Sequence, residues 1–570
     1  MGRITIFTLA SCVHCRRAKA TLVSRGFQFS EVSLSDYPSR REDMISLTNR
    51  VSVPQIFVND THLGGNDDLH ERIASDPNQF DCSTRAALDM DDPIDKRLEV
   101  PDPKDSPSTS HKIDFNELFS ETLAADALPP VLGRYDRLTA TCKLRENLSG
   151  SNAIKDRSVG VHVHARCFYG SDLFKATAKL FAESDSNNSG EPLDDEIIRT
   201  ECVRLLESGV VKNVPKGAGD TARCTCIQSG ATEPDSKQDS FSLTGLYRLQ
   251  PDVNPGCVNA FRDGAMTATH TNSFIDPSAM LQKAQAAKSQ LEGEHTTNQG
   301  SVNRTNLAND HDFHIFLSWF SLMSQHVSLE DIRKKSEHHL AAFLINAYNL
   351  TVSISSTTIG VSRSMFTRSV YFKEVGLRFS DGFYSLDDVE HGLLRGNVGK
   401  ILKLNDARAK NVVDWRKINK KTKLDCRVHF ALNCGAKSCP PVSTYTGESL
   451  DQELAIAAHA FCESDSNVSV TLKANTNKST QRKRSVTLSR IFHWYRADFG
   501  SSDSEVLEKI ELWCRFGSLK RQLIRSVIYN KNLLNALQYA PYDWSSDATA
   551  DSKSFNVRSV RRSWGRVTGL

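Results

Sequence analysis

The first apolar positions of the chain alternate. Residues 3–9, RITIFTL, set β-formers in succession and read as a buried strand. From Cys12 the period changes: Cys15, Ala18 and Leu22 share one helical face, Arg16, Arg17 and Lys19 lie off it, and Gly26 reads as a stop. FQFSEVSL (27–34) predicts a second strand and SRREDMISLTN (39–49) a second helix. QIFVN (55–59) and THLGG (61–65) read as a hairpin about Asn59-Asp60, with a last helix from about 67. The predicted order is β-α-β-α-β-β and a closing helix. Further along, ARCFYGSDLFKATAKLF (165–181) is followed by LDDEIIRTECVRLLESGVVKNV (193–214). Ile197, Cys202, Leu205 and Leu206 form a helical stripe that Gly209 ends, and LYRL (246–249) reads as a closing strand. HHLAAFLINAYNLTVSI (338–354) predicts a strongly apolar helix carrying Asn346, Tyr348 and Asn349, and RVHFALN (427–433) a short apolar strand.

Between these blocks the polarity rises. Residues 89–112 are rich in Pro, Asp and Ser and have little to bury, which makes 83–124 a linker between a first unit (1–82) and a second (125–252). Residues 253–309 read as a linker or helical connector, 310–540 as a C-terminal unit, and the Ser- and Arg-rich 541–570 as a disordered tail. Polar inserts are expected around 183–193, 216–240 and 473–485.

With 570 residues, 39% hydrophobic and 24% charged, the chain is globular and multidomain. A formal net charge of +3 gives no electrostatic case for nucleic acid, and no nucleic-acid motif is present. No apolar run approaches the roughly 18 residues that span a bilayer, and the start lacks a signal-peptide pattern. Gly2 is followed by Ile6 where a myristoylation signal has Ser or Thr. Fourteen cysteines scattered through a chain of this length read as reduced thiols, which predicts a cytoplasmic location.

The pattern places Cys12 at a helix N-terminus, where unpaired amides and the positive dipole end favour a thiolate. Arg16 adds charge one turn on, and Cys15 is within reach as a resolving thiol. His14 would tune either sulfur, with a sign the sequence leaves open. The residues also admit a zinc site, a static disulfide, or two buried structural thiols. Zinc needs a second ligand pair, and the nearest, CTC at 224–226, is distant and differently spaced; no metal is predicted. Electron carriage requires a Cys12 sulfur that is ionised and reachable; one sealed from solvent points to a scaffold.

Three motifs in order make the first 80 residues similar to a glutaredoxin, a thioredoxin-fold family: Cys12-x-x-Cys15, SVPQIFVN (52–59) and GGNDDL (64–69). The resemblance implies thiol–disulfide exchange with glutathione as co-substrate and protein disulfides or glutathionylated proteins as partners. It implies a cis Pro54 that presents the Val53 backbone to an extended substrate, and Asn66 and Asp67 amides offered to a glutathione carboxylate. Val13-His14 stands where the family often has Pro-Tyr, and Leu9 where many members have Lys.

The middle unit resembles a DEP domain, a winged-helix-like fold, through Tyr169-Gly170-Ser171-Asp172-Leu173, the leucine-rich helix before Gly209-Val210, and Leu246-Tyr247-Arg248-Leu249. That implies docking at a membrane surface or receptor in intracellular signalling. Arg134, Arg137, Lys143 and Arg145 are candidates for anionic lipid, or a solvated helix face. Four blocks of the C-terminal unit (338–354, 384–396, 425–445 and 486–500) resemble the domain-of-unknown-function 547 family, expected as a mixed α+β domain. Its Cys434 and Cys439, with His429 and His391, form a candidate second site: a Cys/His nucleophile if the fold joins them, otherwise structural groups, or a thiol pair that exchanges with the first unit. The resulting expectation is a glutathione-linked oxidoreductase in a signalling protein. The rivals are a non-enzymatic adaptor or redox sensor, and a cysteine hydrolase.

Overall fold

The computed structural model describes residues 2–101, 113–118, 144–184, 194–214, 241–259, 276–396, 425–472, 484–530, 534–555 and 563–565, less single positions and short stretches within them. Arg134, Arg137, Lys143 and Arg145 lie outside the described residues, as do most of the expected linker 89–112 and nearly all of the polar inserts.

The N-terminal unit follows its predicted order: β1 (Ile4–Thr8), α1 (Val13–Ser24), β2 (Ser30–Ser33), α2 (Arg40–Thr48), β3 (Gln55–Val58), β4 (Thr61–Gly64) and α3 (Asn66–Ser75). The sheet order is β2-β1-β3-β4, with β1 parallel to β2 and antiparallel to β3. This is a thioredoxin-like arrangement. Alternate strand residues serve opposite faces. Ile4 and Ile6 pack with Ala18, Leu22 and Leu69, while Phe7 packs with Val32, Met44 and Phe57. All five residues of β1 are buried, so neither of its faces meets solvent.

This unit does not end at 82. α4 (Pro77–Leu88) starts on an Asp76 cap and buries Phe80 in the first core. Leu98, fully buried, fills the second core beside Met44 and Phe57. Asp- and Pro-rich surroundings concealed one apolar anchor, so part of the expected linker belongs to the fold.

In the middle unit β5 (Lys155–Val159) and β6 (His162–Tyr169) precede helices α5 (Gly170–Ser184) and α6 (Asp195–Glu207), then β7 (Val211–Asn213) and β8 (Leu246–Leu249). β8 lies between β6 and β7. On α6 the core stripe is Ile198, Cys202 and Leu205, and Ile197 is half exposed. The apolar pair Ile197-Ile198 left the helix phase ambiguous by one residue.

The C-terminal core begins well before 310. Phe115, Leu118 and the inner face of α7 (Pro277–Glu294) pack into it beside α8 (His311–Ser324) and α9 (Glu337–Thr358). The expected connector is therefore a core helix. β9 (Gly376–Phe379) and β10 (Gly382–Ser385) form a hairpin, and α10 (Leu450–Glu463) lies over a second cluster with β11 (Val468–Leu472) and β12 (Arg484–Leu488). β13 (Leu534–Tyr539) joins β12 in parallel, and β14 (Ser563–Gly565) crosses back to pair with β6.

Two further expectations are corrected. Residues 426–430 form a 3-10 turn capped by Asp425, not a strand: the Val428 amide donates to the Asp425 carbonyl and the Ala431 amide to that of Val428, each three residues back. Residues 541–555, expected as disordered tail, are tied down: Tyr542 and Trp544 pack on Trp494, and Phe555 is buried. Among the described residues no helix is long and apolar enough to cross a membrane.

Candidate functional site

Cys12 is the N-cap of α1, and its Sγ accepts from the Cys15 amide at 3.1 Å. The extended backbone at Cys12 turns its sulfur onto the first free amides of the helix, the usual role of a capping oxygen. The two cysteines are joined as a disulfide. On α1, burial outweighs the pull of Asp67 and lowers the His14 pKa, so His14 is neutral and contributes no charge at neutral pH. Arg16 and Arg17 are the cations on the same turns of the helix.

The Val53–Pro54 peptide is cis. Gly65 precedes α3, and its amide donates to Asp68 at 2.7 Å. Burial opposes ionisation of Asp68, but the Gly65 amide and Arg50, at 2.6 Å, hold its carboxyl below the usual range. Asn66 is 8% exposed, and its Oδ1 has no hydrogen-bond partner among the described residues. Val53, Pro54, Asn66 and Asp67 line one wall of a cleft of about 2080 Å³. Its opposite wall comes from the C-terminal unit and includes Cys439, Pro440 and Pro441.

The reachable sulfur that the sequence reading required is not found in this arrangement: Cys12 and Cys15 are each 1% exposed. The C-terminal unit lies directly against α1. Arg16 meets Glu292 of α7 at 3.6 Å. Glu292 is also held by Lys288 at 2.9 Å, Arg304 at 2.5 Å and Ser353 at 2.6 Å. Gly300, at φ +74°, sits so close that an added Cβ would lie 2.9 Å from the Arg17 Cα.

The second candidate site is assembled differently from the expectation. Cys434 and Cys439 face each other with sulfurs 3.0 Å apart. The Cys434 amide donates to the Cys439 Sγ at 3.2 Å, and Tyr542 Oη lies 3.2 Å from it. Arg368 Nη1 is 3.8 Å from the Cys434 Sγ. Burial opposes the Cys439 thiolate, but the Cys434 thiol, the Tyr542 hydroxyl and nearby amides outweigh it and lower its pKa to about 7. Cys434, donating to that sulfur and itself buried, is pushed well above the ordinary thiol range.

Neither histidine joins them. His429 Nε2 is 2.8 Å from Asp498, and its ring stacks on Tyr495 at 3.9 Å. His391 Nδ1 is 2.7 Å from Arg395, which also binds Asp498. Among the described residues no hydrogen bond links either histidine to either thiol, so the Cys/His nucleophile is not assembled. Asn346 and Asn349 tie loops to the helix: Asn346 spans Tyr445, and Asn349 spans Ala431 and Asn433. Tyr542, Arg368 and Glu292 escaped the sequence reading. The aromatic pair in PYDW (541–544) was the one available signal, hidden in a stretch read as tail.

Comparison with known proteins bears on the two ends of the chain. The family model "Glutaredoxin" matches residues 4–63. Glutaredoxin 3 of Escherichia coli K12 is 43% identical over 70 residues, covering 84% of that protein and 12% of this chain. The chain belongs to the glutaredoxin family. It does so through its N-terminal unit, a thiol–disulfide oxidoreductase domain. The Pseudomonas aeruginosa glutaredoxin is 39% identical over 70 residues, covering 83% of that protein and 12% of this chain. A model described as "Protein of unknown function, DUF547" matches residues 332–462.

Proposed function

We propose that the glutaredoxin unit reduces disulfides at the expense of glutathione, with Cys12 as nucleophile and Cys15 as resolving thiol. The observation that carries the reading is the Cys12 sulfur at the cap of α1, accepting from the Cys15 amide. In the reduced protein that amide would face the Cys12 thiolate and lower its pKa. The Cys12 thiolate attacks one sulfur of the substrate disulfide; that S–S bond breaks, a mixed disulfide forms, and the other sulfur leaves as a thiolate that takes a proton. Cys15 then attacks the Cys12 sulfur and releases the reduced substrate. Two glutathione molecules return the Cys12–Cys15 disulfide to thiols and leave as glutathione disulfide.

The glutathione groove in this reading is Val53, Pro54, Asn66 and Asp67. The Asn66 Oδ1, without a hydrogen-bond partner among the described residues, and the first amides of α3 support it. Because both sulfurs are covered in the docked arrangement, an external disulfide reaches Cys12 when the two units part at this face. The test is turnover of hydroxyethyl disulfide by the full chain with glutathione, glutathione reductase and NADPH. Cys12→Ser is expected to abolish it. Absence of turnover in the unmodified chain, with the domain folded by circular dichroism, leaves the adaptor reading in its place.

We also infer that the middle unit is a DEP-like docking module in signalling. The support is its β6-α5-α6-β7-β8 order around one core that includes Phe168, Leu205 and Tyr247. Sedimentation with phosphatidylserine vesicles is expected to weaken with salt; no binding at low salt removes the membrane reading. A glutathione-dependent role implies the cytoplasm, and cell fractionation that finds the chain elsewhere contradicts it.

A further inference from the structure

The helix that Cys12 caps faces a second pair of thiols. His14 and Arg16, both on the first turns of the helix that Cys12 caps, line a cavity of about 80 Å³ together with Cys434 and Cys439. The larger cleft joins the same two places, with His14, Val53, Pro54 and Asn66 on one wall and Cys439 on the other. The contact is made by charge as well as shape. Arg16, Lys288 and Arg304 surround the single carboxylate of Glu292, and Arg368 stands beside Cys434. A surplus of cations at this junction favours the thiolates through which disulfide exchange passes.

We propose that Cys434 and Cys439 form a second redox centre, a reversible disulfide that the Cys12–Cys15 dithiol reduces within the same chain. This rests on the oxidoreductase reading above and names its internal substrate. With Cys434 and Cys439 oxidised, the Cys12 thiolate attacks the Cys434 sulfur, the more exposed of the two. The Cys434–Cys439 bond breaks, a Cys12–Cys434 disulfide forms, and Cys439 leaves as a thiolate held by the Tyr542 hydroxyl. A sulfur with donors aimed at it is the better leaving group. Cys15 next attacks Cys12, closing the Cys12–Cys15 disulfide and expelling Cys434, which takes a proton and lies 3.0 Å from the Cys439 sulfur. Two electrons have moved from one dithiol to the other. Glutathione restores the first dithiol.

The experiment uses the full chain, oxidised with diamide and then given glutathione, glutathione reductase and NADPH. Differential alkylation and peptide mass spectrometry follow the Cys434–Cys439 bond, while hydroxyethyl disulfide turnover is measured on the same sample. The bond is expected to form on oxidation and to be reduced at a rate independent of chain concentration. Held sites act at an effective concentration of roughly millimolar, so at micromolar protein Cys12→Ser is expected to slow the step by at least about tenfold. In the Cys15→Ser/Cys439→Ser double variant, oxidation should leave a Cys12–Cys434 cross-linked peptide. Failure of the Cys434–Cys439 bond to form, a rate unchanged in Cys12→Ser, a rate that scales with protein concentration, or Cys12 left uncross-linked in the double variant overturns the inference. If hydroxyethyl disulfide is still turned over in those cases, the oxidoreductase reading stands; if it is not turned over at all, both fall.

Discussion

The two cysteine pairs of this chain solve one problem in two ways. Each needs one sulfur with hydrogen-bond donors pointed at it. At Cys12 the donor is the amide of Cys15, three residues on, and comes with the helix. At Cys439 the side-chain donors are its neighbour's thiol and Tyr542, a hydroxyl 103 residues away. A helix cap is a local device that survives in an isolated domain. A hydroxyl brought from a distant segment exists only while that segment stays docked. The first pair is therefore robust to changes elsewhere in the chain, and the second is exposed to them.

The sharpest way to break the comparison is at the sulfur itself. Cys12→Ser keeps a capping oxygen on α1 and removes the nucleophile, so glutathione-coupled turnover should fall to the uncatalysed rate while circular dichroism is unchanged. Next in size is Glu292→Gln. Lys288 and Arg304 are buried against that carboxylate, and removing one partner of such a cluster costs about 3–5 kcal/mol. Urea unfolding followed by tryptophan fluorescence should show the loss. The same site has a pH signature. Burial resists its charge, but Lys288, Arg304 and Arg16 hold the folded pKa of Glu292 well below the ordinary 4.5. Its contribution is thus fully present above that ordinary value and is lost as pH falls through the folded one; a Glu292→Gln chain should lose less stability on acidification.

A smaller effect separates the pairs directly. One thiolate of the Cys434/Cys439 pair should titrate near pH 7, read as iodoacetamide reactivity that rises through that range. Tyr542→Phe removes a donor to the charged form, a loss of about 1.5–3 kcal/mol that moves the midpoint up by roughly 1–2 pH units. The Cys12 midpoint should not follow. Smallest of all is Arg50→Ala. Its pair with Asp68 is about four-tenths exposed on both sides and worth roughly 0.2–1 kcal/mol. A melting temperature displaced well beyond that range would mean the Gly65–Asp68 turn leans on Arg50 more than its exposure suggests.

The N-terminal fold was legible because its signals are short-range. Alternation over 3–9, a helix phase set by Ala18 and Leu22, and a hairpin about Asn59-Asp60 each sit within a dozen residues. The errors share the opposite property. Leu98 is one apolar residue in charged surroundings, Ile197 and Ile198 are equally apolar neighbours, and the apolar run at 426–430 is too short for its pattern to tell a 3-10 turn from a strand.

From the order of its residues alone this chain carries a helix-capping Cys12, a thiol one turn away and a sheet buried on both faces, because backbone amides and side-chain period act over a few positions. What faces that dithiol required the folded chain. Glu292 against Arg16, Tyr542 against Cys439, and His14 with Cys434 and Cys439 on one cavity are contacts between residues up to several hundred positions apart. No pattern in the sequence encodes them, since burial and charge pairing are satisfied by whichever groups the packing of distant helices brings together.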